Sequence, residues 1–477
     1  MVTLRTPGAY GAEAGAGPCA IEPADGSVAA FVGYTERAGE PGRSLHLKPQ
    51  RIESLQGFER HFGAAAGQRF QIGNGPQGAL ELRNRAVHWR LYLGLRLFFL
   101  NGGGPCWVVS VGGYDEAPQA EALRAGLAAL EGEPEPALLV VPDAVLLPAH
   151  AMRAVHDALL ALCAEPQWPR FALLDLPGGD RAPGGADDPV AAFRQGLGVH
   201  GRGFGAAYYP DLDTSVLDEA EVDWRQVDAD ALGALAARVR ADAACPPAVR
   251  AQLTGPDIDW ADLHPTLLAL SPAYRSLMQA LRRQMNRLAP SAALAGVYAQ
   301  VDGARGVWKA PANVALAAVV APVVAISNAQ QQDLNLSPTG ISVNALRSFV
   351  GEGVLVWGAR TLDGNSLDGR YVNVRRTLTM IERSARQAMQ ALAFERNDAA
   401  TWALLKAQWG DFLTRLWRLG GLAGAQPEEA FAVHCGLGET LTEQDLRDGV
   451  LRVSLLVAPS RPAEFIEITL EQRMAAA

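Results

Sequence analysis

Lysine is nearly absent from this 477-residue chain: Lys48, Lys309 and Lys406 stand against 39 arginines. With so much alanine beside it, the imbalance reads as genomic codon bias rather than phosphate recognition. Cysteine is also scarce. Cys19, Cys106, Cys163, Cys245 and Cys435 are odd in number, scattered and never in a CxxC spacing. That excludes a disulfide framework and a zinc ribbon and leaves small buried hydrophobes. No apolar run reaches 18 residues, and Val314–Ile326 is broken by Pro322, so no membrane insertion is expected. The first residues show no basic region leading into an apolar run, so no Sec signal is expected. Charged residues make up only 19% of the chain, with a net charge of −9. A whole-chain electrostatic grip on nucleic acid or anionic lipid is therefore not expected.

Motifs for chemistry are equally sparse. There is no GxxxxGK[ST], no GxSxG and no HExxH, so no P-loop, nucleophile elbow or zincin helix. His150 and His156 lie six apart, a spacing that does not bring them onto one helix face. Gly196, Gly198 and Gly201 spell GxGxxG, but they follow a helical stretch and lead into a strand. That is the reverse of the order that puts a pyrophosphate on a helix N-terminus. An α/β oxidoreductase or hydrolase with a ligand site near Gly196–Gly201 stands as the alternative reading. Asp143 and Asp175 fall at strand ends, where both catalytic acids and turn residues occur; with no base or nucleophile near them in sequence, the turn reading is favoured. No metal site and no cofactor is expected.

What is present is a large globular chain. Its length suits about three domains of ~150 residues, and 49% hydrophobic content rules out disorder over the whole chain. The first thirty residues, rich in Gly and Pro with Val2 and Leu4 alternating with polar neighbours, read as an extended arm. Short apolar runs follow at Val28–Val32, Trp107–Val111, Ala137–Val141, Phe171–Asp175 and Gly205–Tyr209. Helical stretches such as Val87–Leu100, Glu121–Glu131 and Ala149–Cys163 separate them, the pattern of strands buried on both faces of a largely parallel sheet.

Acidity is concentrated in Asp211–Asp262, where 12 acids and 4 bases give −8, against 18 acids and 17 bases over 301–477. This stretch reads as surface, facing solvent. Further on, the spacing predicts a long helix over Val372–Phe394 and another after Asp398 carrying Trp402, Leu405, Trp409, Leu413, Leu416 and Trp417. Val450–Val457 reads as a strand. Beyond Pro459 and Pro462, Ile466, Ile468 and Leu470 alternate with Glu467, Thr469 and Glu471. The pattern alone fits an edge strand of its own domain and a strand added to another sheet equally well.

Stretches along the whole chain carry a family resemblance. They include Thr6–Tyr10, Val28–Gly33, Ile52–Gly63 (IESLQGFERHFG), Phe98–Val111 (FFLNGGGPCWVVSV), Ala206–Pro210 and Ala295–Asn313. The C-terminal ones are the most specific: Leu334–Asn335, Gly340–Ile341, Val356–Leu362, Val372–Arg376, Ile381–Ser384, Phe394–Asp398 and Ala458–Phe465. In order and spacing the chain resembles the contractile tail sheath proteins of phage tails and phage-tail-like injection particles.

The resemblance implies a multidomain α/β chain, not an enzyme. Its parts would be an N-terminal arm (1–27), an N-terminal sheath region (28–110) and a middle, subtilisin-like α/β domain (111–350) with an acidic surface segment at 211–262. An α+β C-terminal sheath domain (351–460) and a strand-exchange arm (461–477) would follow. It implies subunits that polymerise around an inner tube by strand exchange and contract to drive that tube through a target envelope. It implies as partners other sheath subunits, the inner tube, baseplate and tail-terminator proteins, with no nucleic acid, and assembly in the bacterial cytoplasm into a phage tail or extracellular particle. The interlocking residues would be Val2, Leu4, Ile466, Ile468 and Leu470, with hinges at Pro459 and Pro462. Arg375, Arg376, Arg383, Arg386, Glu443, Asp445 and Asp448 are the tube-facing candidates. The resemblance tips Phe465–Gln472 toward pairing between subunits.

Overall fold

The computed structural model describes residues 20–40, 42–74, 80–185, 187–255, 258–391, 395–460 and 466–473. Two compact units are present: Asp25–Thr379, and a smaller one formed by Met1–Ala24 with Met380–Ala477.

The larger unit is built on an eight-stranded sheet. Its strands, in chain order, are β1 (Ala29–Gly33), β2 (Gln50–Ile52), β3 (Cys106–Ser110), β4 (Leu138–Val140), β5 (Phe171–Leu174), β6 (Gly205–Tyr209), β7 (Asn344–Phe349) and β8 (Gly353–Trp357). The spatial order is β8-β7-β6-β5-β4-β1-β3-β2. The six inner strands run parallel, and β8 and β2 close the two sides antiparallel.

Side-chain alternation sorts the inner strands into two cores. Phe31, Val108, Val140, Leu173 and Tyr208 point into one, while Ala30, Val32, Val109, Leu139, Leu174 and Tyr209 point into the other. Helix α1 (Leu91–Leu100) and helix α4 (Ser291–Arg305) cover the first face; α2 (Ala149–Cys163) and α3 (Pro189–Gly196) cover the second. The α1 and α4 backbones approach closely at Gly296, where a Cβ would fall 2.4 Å from the Phe98 carbonyl oxygen. Both faces of β1, β4, β5 and β6 are thus dry, which is why these strands read as unbroken apolar runs. The segment Ala295–Val301 lies in this apolar helix, and β7 has no such run.

The acidic stretch is not simply a solvating face. It contributes to the first core, with Leu235, Val239, Cys245, Leu253 and Trp260 buried. Its acids also meet arginines from outside it: Glu221 with Arg96, Glu219 with Arg282, Asp213 with Arg283 and Arg287, and Asp228 and Asp230 with Arg85. The −8 is therefore substantially offset within the subunit.

The expected five-part division does not follow the packing. Strands from 28–110 and from 111–350 share one sheet, and a boundary at 350/351 cuts the antiparallel hairpin β7–β8. The two units meet in sequence within α5 (Val372–Ala391), between Thr379 and Met380. Part of the expected arm is packed: Ile21 and Ala24 are buried, and the Ala24 N–H donates to Ser384 Oγ at 2.8 Å.

The smaller unit holds α6 (Ala399–Arg418) and an antiparallel sheet of β9 (Phe431–His434), β10 (Val450–Val457) and β11 (Ile466–Arg473), in the order β9-β10-β11. Asp398 caps α6 by accepting from the Ala400 and Thr401 N–H groups (3.0 and 3.1 Å). Leu405, Trp409, Phe412, Leu413 and Leu416 form its buried stripe. Trp402 and Trp417 are half-buried at its margins, with their ring N–H groups bonded to Asn397 Oδ1 and the Gly424 carbonyl.

Candidate functional site

The carboxyl edge of the parallel sheet is where open α/β folds place ligands. Asp143 and Asp175 stand there, just beyond β4 and β5, and both are buried structural anchors. Asp143 accepts from the Arg90 N–H (2.6 Å) and the Tyr34 N–H (2.8 Å). Asp175 accepts from the Ser291 N–H (2.8 Å) and Ser291 Oγ (2.6 Å), so it holds the N-terminus of α4. Burial, only partly offset by these bonds, pushes the Asp143 carboxyl up to about 6 and that of Asp175 to about 7. Both raised values follow from burial.

The GxGxxG stretch is a packing loop. Gly196 ends α3, the Gly198 N–H donates to Asp157 Oδ1 on α2 (2.9 Å), and Gly201 sits at φ +73°. A Cβ on Gly201 would lie 2.6 Å from the Leu160 carbonyl oxygen of α2. The loop's glycines face a helix side rather than a helix N-terminus. Of the histidines on α2, His156 is buried against the Phe193 ring (5.8 Å) and His150 is exposed. Among the described residues no cluster of three His, Cys, Asp or Glu is placed to hold a metal ion.

The seven tube-facing candidates separate by burial. Arg376, only 3% exposed, pairs with Asp302, donates to the Gly26 carbonyl (2.9 Å) and lies over the Tyr298 ring at 4.8 Å. Arg383 is likewise 3% exposed. Both are internal groups rather than surface ones, because they lie on the apolar-facing side of α5, which a run of arginines in sequence does not reveal. Arg375 is half-buried, with its guanidinium 4.6 Å over the Phe204 ring, and Arg386 is half-buried as well.

On the acidic segment, Asp445 is also internal. It closes a capping box with Thr442 (2.8 Å to N, 2.6 Å to Oγ1) and pairs with Arg452 at 2.6 Å. Those Thr442 bonds, with Arg452 behind them, hold its carboxyl below the usual range. Glu443 and Asp448 are exposed.

The remaining candidates concern the chain ends. Val2, Leu4 and Pro462 lie outside the described residues; Pro459 is described and bridges to Leu422. Ile466, Ile468 and Leu470 fall in β11, which pairs with the chain's own β10 over eight residues, from Val457↔Ile466 to Val450↔Arg473.

The C-terminal part of the chain carries the match to a known family. Residues 367–473 match the phage tail sheath C-terminal domain. The whole fold agrees: the contracted helical sheath of the anti-feeding prophage (AFP) superimposes with a TM-score of 0.61 at 28% identity, covering 98% of this chain and 100% of that one. Its C-terminal part is a phage tail sheath C-terminal domain, and over its whole length the chain is similar to contractile sheath proteins.

The sheath of PVC, an extracellular contractile injection system, matches in its contracted state at 25% identity and TM-score 0.61, covering 99% of both chains. A chain of the AFP baseplate structure matches at 27% identity, covering 99% of this chain and 100% of that one, with a TM-score of 0.61. The sheath tail protein of Listeria innocua, at 9% identity and TM-score 0.51, shares the fold. No curated protein sequence matches the chain. The chain thus resembles contractile injection system sheath chains over its full length, and none of its described helices is long and apolar enough to cross a membrane.

Proposed function

We propose that this sheath protein polymerises into a helical array around an inner tube, docked on a baseplate and closed by a tail-terminator protein, and that contraction of the array drives the tube through a target envelope. The observation carrying this reading is the end-to-end likeness to AFP and PVC sheath chains seen in contracted assemblies. Assembly takes place in the bacterial cytoplasm, and the finished particle acts outside the cell.

In the array, β11 leaves its own β10 and pairs with β10 of a neighbour. Backbone ladder bonds carry the link, so it survives rotation of subunits as rigid bodies while the linker around Pro459 bends. The N-terminal arm with Val2 and Leu4 makes a second link. Of the tube-facing candidates, Glu443 and Asp448 are exposed, and Arg375 and Arg386 are half-buried. The energy of contraction is stored at assembly and released by repacking of subunit faces, so no nucleotide is required.

Negative-stain microscopy of the chain co-expressed with its tube protein tests the reading. Hollow striated sheaths support it; compact particles with a nucleotide-induced thermal shift favour an enzyme.

A further inference from the structure

Strand β10 is unevenly supported. On one side β9 pairs only with its second half, Ser454 to Val457. On the other side β11 pairs with all eight residues, and among the described residues it is the only strand in register with Val450–Val453. Without β11, the side of β10 that faces it would show backbone N–H and C=O groups along the whole strand as an open edge, a template for any strand that reaches it.

We infer that the free subunit is self-capped: β11, folded back in cis, occupies the acceptor edge of β10 and keeps the subunit from polymerising until a neighbour's strand replaces it. The occupant of the edge is thus the chain's own C-terminal strand before assembly and a second copy's afterwards. This rests on the reading that subunits exchange this strand in the array.

The competition favours the capped monomer because the tethered strand is present at an effective concentration in the millimolar range, far above that of free chains. Joining an array then conserves strand pairs, one cis ladder being given up for one trans ladder. Growth is governed by exchange at an existing end, where several contacts form together, rather than by collision of free subunits. Closed and exchanged forms built on one identical element are the general logic of domain swapping.

The test uses a fluorescent peptide spanning residues 464–473 and the full-length chain. Ile468→Pro removes a ladder donor from the middle of β11, opposite Leu455, and opens the edge. The peptide is expected to bind Ile468→Pro at least ~100-fold more tightly than the wild-type free subunit. Equal binding to both would overturn self-capping.

Hydrogen exchange on the wild-type monomer gives a second reading that does not depend on the variant folding. Amides of Leu451 and Val453, which face β11, should be protected in the monomer fraction; fast exchange there would overturn the proposal. The exchange reading is separated by a Ser454→Cys/Thr469→Cys chain oxidised in cis. If that locked chain still built sheaths, strand exchange would fail, while the peptide and hydrogen-exchange results would still decide self-capping.

Discussion

Arg376 and Asp302 form a bidentate ion pair inside the larger unit, with Nη1 and Oδ1 2.9 Å apart and side chains 3% and 8% exposed. The same guanidinium holds the Gly26 carbonyl, and beneath it Tyr298 is hydrogen-bonded to Tyr208 (2.6 Å). The start of the long helix, the end of α4 and the chain entering β1 are therefore tied at one buried point.

Removing one partner leaves a charge buried without compensation. Asp302→Asn should destabilise the larger unit by about 3–5 kcal/mol, whereas Arg376→Met with Asp302→Leu should cost much less, since an apolar pair carries no desolvation penalty. Urea unfolding of the two variants checks this, and comparable losses would argue against the ion pair as the anchor.

Stability should fall from pH 5.5 to pH 8. Asp175 has a carboxyl pKa of about 7 when folded against an ordinary 3.8, because burial disfavours its charged form. The folded chain therefore keeps a proton that the unfolded chain has released between those values. This contribution is complete below about pH 4 and is lost as pH rises through 7. Asp143 and Asp211, both raised to about 6 by burial, act in the same direction. The fall assigned to Asp175 is about 2 kcal/mol over that interval, and Asp175→Asn should remove it while keeping the bonds to Ser291. Denaturant midpoints at the two pH values give the answer.

Gly201→Ala should lower stability by about 1–3 kcal/mol, from the left-handed backbone and the Leu160 carbonyl its Cβ would meet. Adding NAD to the wild-type chain should leave the melting temperature unchanged. A shift of several degrees would revive a ligand site at this loop.

Charge reversal should separate surface from interior among the tube-facing candidates. Glu443→Lys with Asp448→Lys should leave the melting temperature within a degree or two while weakening co-sedimentation with the tube. Arg383→Glu, at a buried position, should instead reduce soluble yield. Unchanged tube binding by the first variant would remove those two residues from the interface.

The sheet was legible where burial on both faces left continuous apolar runs: β1, β3, β4, β5 and β6 lie within a residue or two of the runs that announced them. Strand β7 (NALRSF) was not, because its half-exposed end interrupts the pattern. The start of α6 was readable because Asp398 caps it. Burial of charge was not readable. Arg376 and Arg383 look like any basic helix face until Asp302, 74 residues earlier than Arg376, closes on the first of them. The acids of 211–262 likewise find Arg85, Arg96 and Arg282 only through tertiary packing. For the C-terminal strand, the alternation predicted a strand, but a period of two carries no information about whose sheet it joins.

The most direct test of strand exchange uses Ser454 and Thr469, register partners across β10 and β11. Two chains, one with Ser454→Cys alone and the other with Thr469→Cys alone, are co-assembled into sheaths and oxidised. A disulfide between them requires β11 of one copy on β10 of another. The account predicts a covalent dimer in sheaths and none in the free subunits. Contractile sheaths that yield no dimer, while the doubly substituted chain closes its bond within one copy, would contradict it.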